Sequence, residues 1–161
     1  MVAQENPDKR VFVLDCDQHF GDGTAEFTTR LPNLYNFSIN GTGFAIENTE
    51  ISINMTLPRV THNFDVYIKA LQKGFSHIQF WRPDLIIYQA GADPHINDPL
   101  GTLGMTTEQL RLRDKTVFEF CKLSRIPLMF VLAGGYQEPI KERLIPLHVN
   151  TFKEAAYVYR N

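Results

Sequence analysis

Three short runs of consecutive apolar residues punctuate the chain: residues 10–15 (RVFVLD), 85–89 (LIIYQ) and 128–132 (LMFVL). Each is too short for a helix and rich in Val, Ile, Leu or Phe. Such runs read as strands buried on both faces. Two weaker runs lie between the first and second. Residues 35–39 suggest a further strand, and Ile51, Ile53 and Met55 alternate with polar residues as a half-exposed edge strand does. The intervening patterns have a different period. Phe64, Ile68, Leu71, Phe75 and Ile78 recur at steps of three and four and predict an amphipathic helix that Pro83 ends. Leu110, Val117, Phe118 and Cys121 form the stripe of a second helix, opened by Thr106 and Gln109 at capping-box spacing and stopped by Pro127. Thr151 and Glu154 have the same spacing and predict a last helix from there to about Tyr159. Residues 20–24, with Gly21 and Gly23, read as a loop.

Continuous apolar strands alternating with amphipathic helices predict a three-layer α/β/α fold on a mainly parallel sheet, in one domain spanning 1–161. The crossovers should be right-handed. The first strong strand comes almost at once and should be central.

Composition narrows the class without naming a function. With 161 residues, 43% apolar and a net charge of −2, the chain is a globular domain with no electrostatic case for binding nucleic acid. Two cysteines, Cys16 and Cys121, are too few for a disulfide framework and read as reduced thiols. No basic-flanked apolar run opens the chain and no stretch reaches the length of a membrane span. The expected location is cytoplasmic, or nuclear in a eukaryote. Three glycosylation-type triplets, at Asn36, Asn40 and Asn54, read as chance matches in that setting.

The candidate chemistry gathers where parallel sheets place it, at the carboxyl ends of the strands. The first strand runs into Cys16-Asp17-Gln18-His19, the second into Ala90-Gly91-Ala92-Asp93, and the third into Ala133-Gly134-Gly135-Tyr136. Asp15, Asp17 and His19 are two apart and share one side of an extended chain. A carboxylate and an imidazole at that spacing, joined by Asp93, form a three-ligand set with an open position, as in a catalytic zinc site. Tyr136, behind two glycines, can donate to a developing oxyanion. Taken singly each feature has a bland reading: Asp15 and Asp17 as a loop cap, His19 as a surface histidine, Asp93-Pro94 as a turn, Tyr136 as an aromatic plug. Their shared position on three strands favours the joint site. His62, His77, His95 and His148 have no ligand spacing, although His95 could line the rim. Trp81, at a helix end, reads as a packing residue.

These residues carry a family likeness. LDCDQHFGDGTAEF, PDLIIYQAGADPHINDPLGTLGMT and PLMFVLAGGY resemble, in the right order, the two metal-binding segments and the tyrosine-bearing segment of histone deacetylases and the related acetylpolyamine amidohydrolases. The resemblance implies an arginase/deacetylase-like fold and a zinc-dependent hydrolysis of an acetyl amide, on acetyl-lysine or a small acetylated amine. It implies zinc on Asp17, His19 and Asp93, with Tyr136 polarising the scissile carbonyl. It further implies a monovalent cation, potassium, held by Asp15, Asp17 and Ser38 with the backbone carbonyls of His19 and Ile39. Leu100, Gly134 and Gly135 would line the substrate channel.

Two departures qualify that likeness. Phe20 stands where the family often has His or Gln. The family's paired histidines, its acid and base, have no counterpart: no two histidines are adjacent in the sequence. The chain therefore resembles the carboxyl-terminal half of a deacetylase domain, truncated on the amino-terminal side. It is expected to bind zinc with little activity alone, the remainder coming from a partner chain or a second copy. Two other classes stay open. VFVLDCDQH also resembles the opening of haloacid-dehalogenase-type phosphatases, which use Mg²⁺ and a nucleophilic Asp, though His19 and the Asp93 segment fit that pattern poorly. The other is a non-catalytic metal-binding relic or interaction module.

Overall fold

The computed structural model describes residues 2–41 and 48–160. Five parallel strands form one sheet in the order β3-β2-β1-β4-β5. They are β1 (Val11–Asp15), β2 (Leu34–Asn40), β3 (Ser52–Thr56), β4 (Leu85–Ala90) and β5 (Leu128–Leu132). The helices are α1 (Val2–Glu5), α2 (Asp22–Thr28), α3 (Asp65–Trp81), α4 (Thr107–Ser124) and α5 (Ile145–Arg160), the last entered through a π-helical turn, Ile140–Leu144. Strand β1 is central, and the chain reverses direction across the sheet there, moving to β2 and β3 on one side and to β4 and β5 on the other. Such a switch point opens a crevice at the strands' carboxyl ends.

Side-chain alternation divides the core in two. Phe12, Leu14, Phe37, Ile39, Ile86 and Tyr88 face α3, α4 and α5, where Tyr67, Leu71, Ile78, Val117, Phe118 and Leu147 close the larger core. Val11, Val13 and Leu34 face the other way and pack with Ala3, Leu31 and Ile87 in a small cluster. On that second face α1 and α2 lie over β1 and β2, whereas the β4–β5 end is thinly covered: Met129 is 44% exposed. Trp81 packs as expected, stacking on Tyr35 with ring centroids 4.5 Å apart.

Helices α3 and α4 follow the predicted periodicity. Thr106 caps α4 in a full capping box: Gln109 N donates to Thr106 Oγ1 at 3.2 Å and Thr106 N to Gln109 Oε1 at 2.9 Å. Arg82 and Arg125 take left-handed backbone conformations just past the ends of α3 and α4. Beyond Arg82, Pro83 cannot continue the helix.

Three expectations fail. Strand β5, read as buried on both faces, lies at the sheet edge with no fully buried residue, Met129 and Leu132 each being 44% exposed, and β4 is fully buried on one face only. The segment read as a loop at residues 20–24 turns into α2 at Asp22, whose carboxylate sits in the first turn and accepts from Gly23 N at 2.8 Å. The last helix begins at Ile145, not Thr151. Thr151 and Glu154 are buried inside α5, and their side chains serve α4 instead: Thr151 Oγ1 donates to Asp114 Oδ2 at 2.7 Å and Arg111 Nε donates to Glu154 Oε1 at 2.7 Å. A helix–helix contact thus carries the same residue spacing as a cap. Among the glycosylation-type triplets, Asn36 is fully buried in β2, and the Asn40 triplet ends at Thr42, outside the described residues. Among the described residues no helix is long and apolar enough to cross a membrane.

Candidate metal centre

At the carboxyl edge β1 and β4 end side by side, and the turn after β5 folds over them. Asp17, His19 and Asp93 meet there, each presenting a ligand atom within 4.8 Å of the other two. His19 Nδ1 lies 3.0 Å from Asp93 Oδ2 and 3.3 Å from Asp17 Oδ1. Backbone amides hold the carboxylates from behind. Gln18 N donates to Asp93 Oδ1 at 3.0 Å, His19 N to Asp17 Oδ1 at 2.9 Å, and Gly134 N to Asp17 Oδ2 at 2.9 Å. The exit of β1 is thereby tied to both carboxylates, and the turn after β5 to that of Asp17.

The glycines explain how backbone comes so close. A Cβ on Gly134 would fall on the Asp93 carboxylate, and one on Gly91 would meet Asp17 Cα and Oδ2, both at 2.7 Å. Only a residue without a side chain fits either position.

Electrostatically the cluster is short of positive charge. Burial and then the neighbouring Asp17 carboxylate push the Asp93 carboxyl from 3.8 up to about 7. Two buried carboxylates and an imidazole nitrogen converging on one point form the oxygen and nitrogen donor set that suits zinc, and a dication there would remove the charge imbalance.

Asp15 and Ser38 lie one layer below. They are paired in register across β1 and β2, and both are fully buried. Asp15 Oδ1 accepts from Asp17 N at 3.0 Å, but Asp15 Oδ2 has no hydrogen-bond partner among the described residues. Burial pushes the Asp15 carboxyl up to about 7, with Asp17 and Asp93 adding to the rise. A Cβ on Gly21 would sit 2.5 Å from Asp15 Oδ2, so the space beside that oxygen exists only because residue 21 has no side chain. An orphaned buried carboxylate oxygen facing such a space fits a monovalent cation.

Tyr136 stands at the mouth, half exposed, with its ring edge-on to His19 at a centroid distance of 6.3 Å. Burial and then the Asp93, Asp17 and Asp98 carboxylates raise its hydroxyl above the ordinary phenol value of 10, so it remains a proton donor. Leu100 is 50% exposed on the adjoining loop. Part of the rim read from sequence, residues 42–47, lies outside the described residues.

Three participants escaped the sequence reading. Buried Asp98 accepts from Tyr136 N at 2.8 Å and from Leu100 N at 3.0 Å, fixing both rim residues to each other. Gln18 is buried, its side chain reaching Thr102 Oγ1 at 2.8 Å and Leu103 N at 3.2 Å. Arg113 is buried behind the cluster on α4; its signal was a charged pair, Arg113-Asp114, placed on an otherwise apolar stripe between Leu110 and Val117. His95 is pinned in its loop, with Nε2 3.1 Å from Thr107 Oγ1 and Nδ1 accepting from Asn97 N at 3.2 Å.

The Histone deacetylase domain family matches residues 1–152. The chain belongs to the histone deacetylase family. Its relatives include an uncharacterized protein of Picosynechococcus sp., 30% identical over 160 residues that cover 98% of this chain and 53% of that one. Histone deacetylase 2 of Arabidopsis thaliana is 27% identical over 139 residues, covering 80% of this chain and 34% of the relative. The acetylpolyamine aminohydrolase of Burkholderia pseudomallei has the same fold, with a TM-score of 0.79 at 22% identity over 97% of this chain and 48% of that one. The sheet is therefore the arginase/deacetylase-like three-layer sheet, in a family of hydrolases. The phosphatase likeness of the first strand has no part in it. The chain spans about half the length of the relatives that match nearly all of it.

Proposed function

We propose that this chain is the metal-bearing part of a zinc-dependent deacetylase acting on an acetylated amine, either acetyl-lysine or an acetylated polyamine-like molecule. The observation that carries this reading is the convergence of Asp17, His19 and Asp93 beside Tyr136 in a chain of this family. Asp17, His19 and Asp93 would hold the zinc, and Asp15 with Ser38 a potassium ion beneath it. Bound there, zinc supplies Lewis acidity toward an amide carbonyl and lowers the pKa of water. Tyr136, protonated and tethered through Asp98, donates a hydrogen bond to the carbonyl oxygen as negative charge develops on it. Gly134 and Gly135 bring the backbone close under the substrate, and Leu100 borders its approach.

The proton-transfer groups are a separate matter. Positioned acids and bases contribute about 10²–10⁴-fold to such reactions. Among the described residues, His95 has both ring nitrogens engaged, one with Thr107 at the start of α4 and one with Asn97 N, and supplies none of this. We propose that these groups come with a partner chain bearing the rest of the domain, seated on the open β4–β5 face; a second copy of this chain is the alternative occupant. Alone, this chain then binds metal with little turnover.

The test compares two reactions on the purified chain: release of acetate from an acetyl-lysine amide with Zn²⁺, and hydrolysis of p-nitrophenyl phosphate with Mg²⁺. Weak or absent deacetylation that rises on adding the remaining half of a family domain, and falls with Tyr136→Phe, supports the proposal. Phosphatase turnover would contradict it. Hydroxamate binding with no turnover in either setting would favour a metal-binding relic.

A further inference from the structure

We infer that Arg113 is a positioning residue for the metal centre: its guanidinium clamps the two strand exits that carry Asp17 and Asp93. This rests on the metal reading above, and its test separates the two.

The β1–β4 ladder ends at Asp15 and Gln89, with one last bond from Cys16 N to Gln89 O at 3.0 Å. Beyond it the strands part to open the site, leaving the carbonyls of Cys16 and Gly91 buried. Buried carbonyls without partners are costly. Arg113 Nη1 reaches both, donating to Cys16 O at 3.1 Å and Gly91 O at 2.8 Å. Cys16 O belongs to the peptide entering Asp17, and Gly91 is two residues before Asp93. A single nitrogen thus sets the separation of the two ligand-bearing segments.

The clamp is itself held firmly. Arg113 is 1% exposed. Its Nε and Nη2 both lie 2.8 Å from Asp114 Oδ1, Tyr88 OH donates to the same oxygen, and Thr151 Oγ1 donates to Asp114 Oδ2 at 2.7 Å. Strand β4, helix α4 and helix α5 therefore all fix the guanidinium. Cys16 and Tyr67 nearby are held neutral by burial, which leaves Asp114 as its counter-charge. A lysine cannot reproduce the grip, because it lacks the planar fork that serves the carbonyls and the carboxylate together. An arginine needed only for packing would not have to reach the carbonyls of two separate strand exits.

Arg113→Lys is the direct test, with Arg111→Gln as control, because it breaks a neighbouring ion pair to Glu154 on the solvent side of α4. Two readouts are taken. In the metal-free chain, amide exchange at Gln18, His19 and Gly134, whose acceptors are the Asp17 and Asp93 carboxylates, should quicken about tenfold in Arg113→Lys relative to core amides of α3. In the zinc-bound chain, affinity by chelator competition should fall about 10–100-fold, the usual effect of losing a group that orients metal ligands. The Co²⁺ absorption spectrum should shift with it. Asp114→Asn, which keeps the guanidinium but removes its counter-charge, should show the same changes in smaller degree and serves where Arg113→Lys does not fold. Unchanged exchange at those three amides, or zinc affinity equal to that of the parent in a folded variant, would overturn the inference. A parent chain that takes up no zinc would instead count against the metal reading, and the exchange measurement would still decide the role of Arg113.

Discussion

Replacing Asp15 by asparagine should stabilise the cation-free protein at neutral and alkaline pH, although it removes a charged group from the heart of the site. Asp15 is fully buried, and one of its oxygens lacks a partner among the described residues. Burial lifts its carboxyl from 3.8 to about 7. Because the folded value lies above the unfolded one, the folded chain holds an extra proton between roughly pH 4 and pH 7, and stability falls as pH rises through that window. Below pH 4 both states are protonated and the penalty is absent. A rise of about 3 units at about 1.4 kcal/mol per unit gives a full penalty near 4 kcal/mol above pH 7. Asparagine keeps the oxygen that accepts from Asp17 N and places an unpartnered amide where the orphaned oxygen stood, which returns part of the gain. Asp15→Asn should therefore raise unfolding free energy by about 1–4 kcal/mol at pH 8 and change it little at pH 4. Urea denaturation in choline-based buffer with chelator, followed across that pH range, measures this. Potassium should then stabilise the parent and leave Asp15→Asn unaffected. A substitution effect of the same size at pH 4 and pH 8 would refute the reasoning, because it would mean that the carboxyl's charge is not what burial penalises.

Other perturbations probe separate links. Gly134→Ala places a methyl group against the Asp93 and Asp17 carboxylates; overpacking of this kind costs about 1–3 kcal/mol, and zinc affinity by chelator competition should fall at least tenfold. Phe118→Ala empties a fully buried position edge-on to Tyr88 and Phe130 and should cost about 3–5 kcal/mol in urea denaturation. Thr106→Ala removes one half of the α4 capping box; a loss near 1 kcal/mol with unchanged zinc content is expected, since the Thr106 side chain bonds Gln109 N and none of Asp17, His19 or Asp93.

The hydrophobic pattern carried most of the fold because β1, β4 and β5 stand out as short apolar runs, although only β1 is buried at every position, β4 is fully buried on one face and β5 is a part-exposed edge strand. Helices α3 and α4 were equally legible, since each has one apolar stripe and a clear stop. What misled was local chemistry with two uses. Thr151 and Glu154 have the spacing of a cap, yet in α5 they bond to Asp114 and Arg111 of α4, and nothing in the spacing separates those outcomes. Gly21 and Gly23 suggested a loop, whereas Gly21 makes room beside Asp15 and the helix starts one residue later. At the site, Asp17, His19, Asp93 and Tyr136 could be read because each follows a recognisable strand. Asp98 and Gln18 could not: they reach Tyr136, and Thr102 and Leu103, by hydrogen bonds far along the chain, and such pairings leave no period. Arg113 did leave a trace, a charged pair on an apolar stripe, whose meaning depends on the two carbonyls it meets.

The central claim is that Asp17, His19 and Asp93 form a zinc site. Equilibrium dialysis of the metal-free chain against buffered Zn²⁺, followed by elemental analysis, tests it most directly when the parent and Asp93→Ala are run side by side with circular dichroism to verify folding. The account predicts about one zinc per chain for the parent and a loss of most of that zinc in a folded Asp93→Ala variant. Equal zinc content in the two would contradict it.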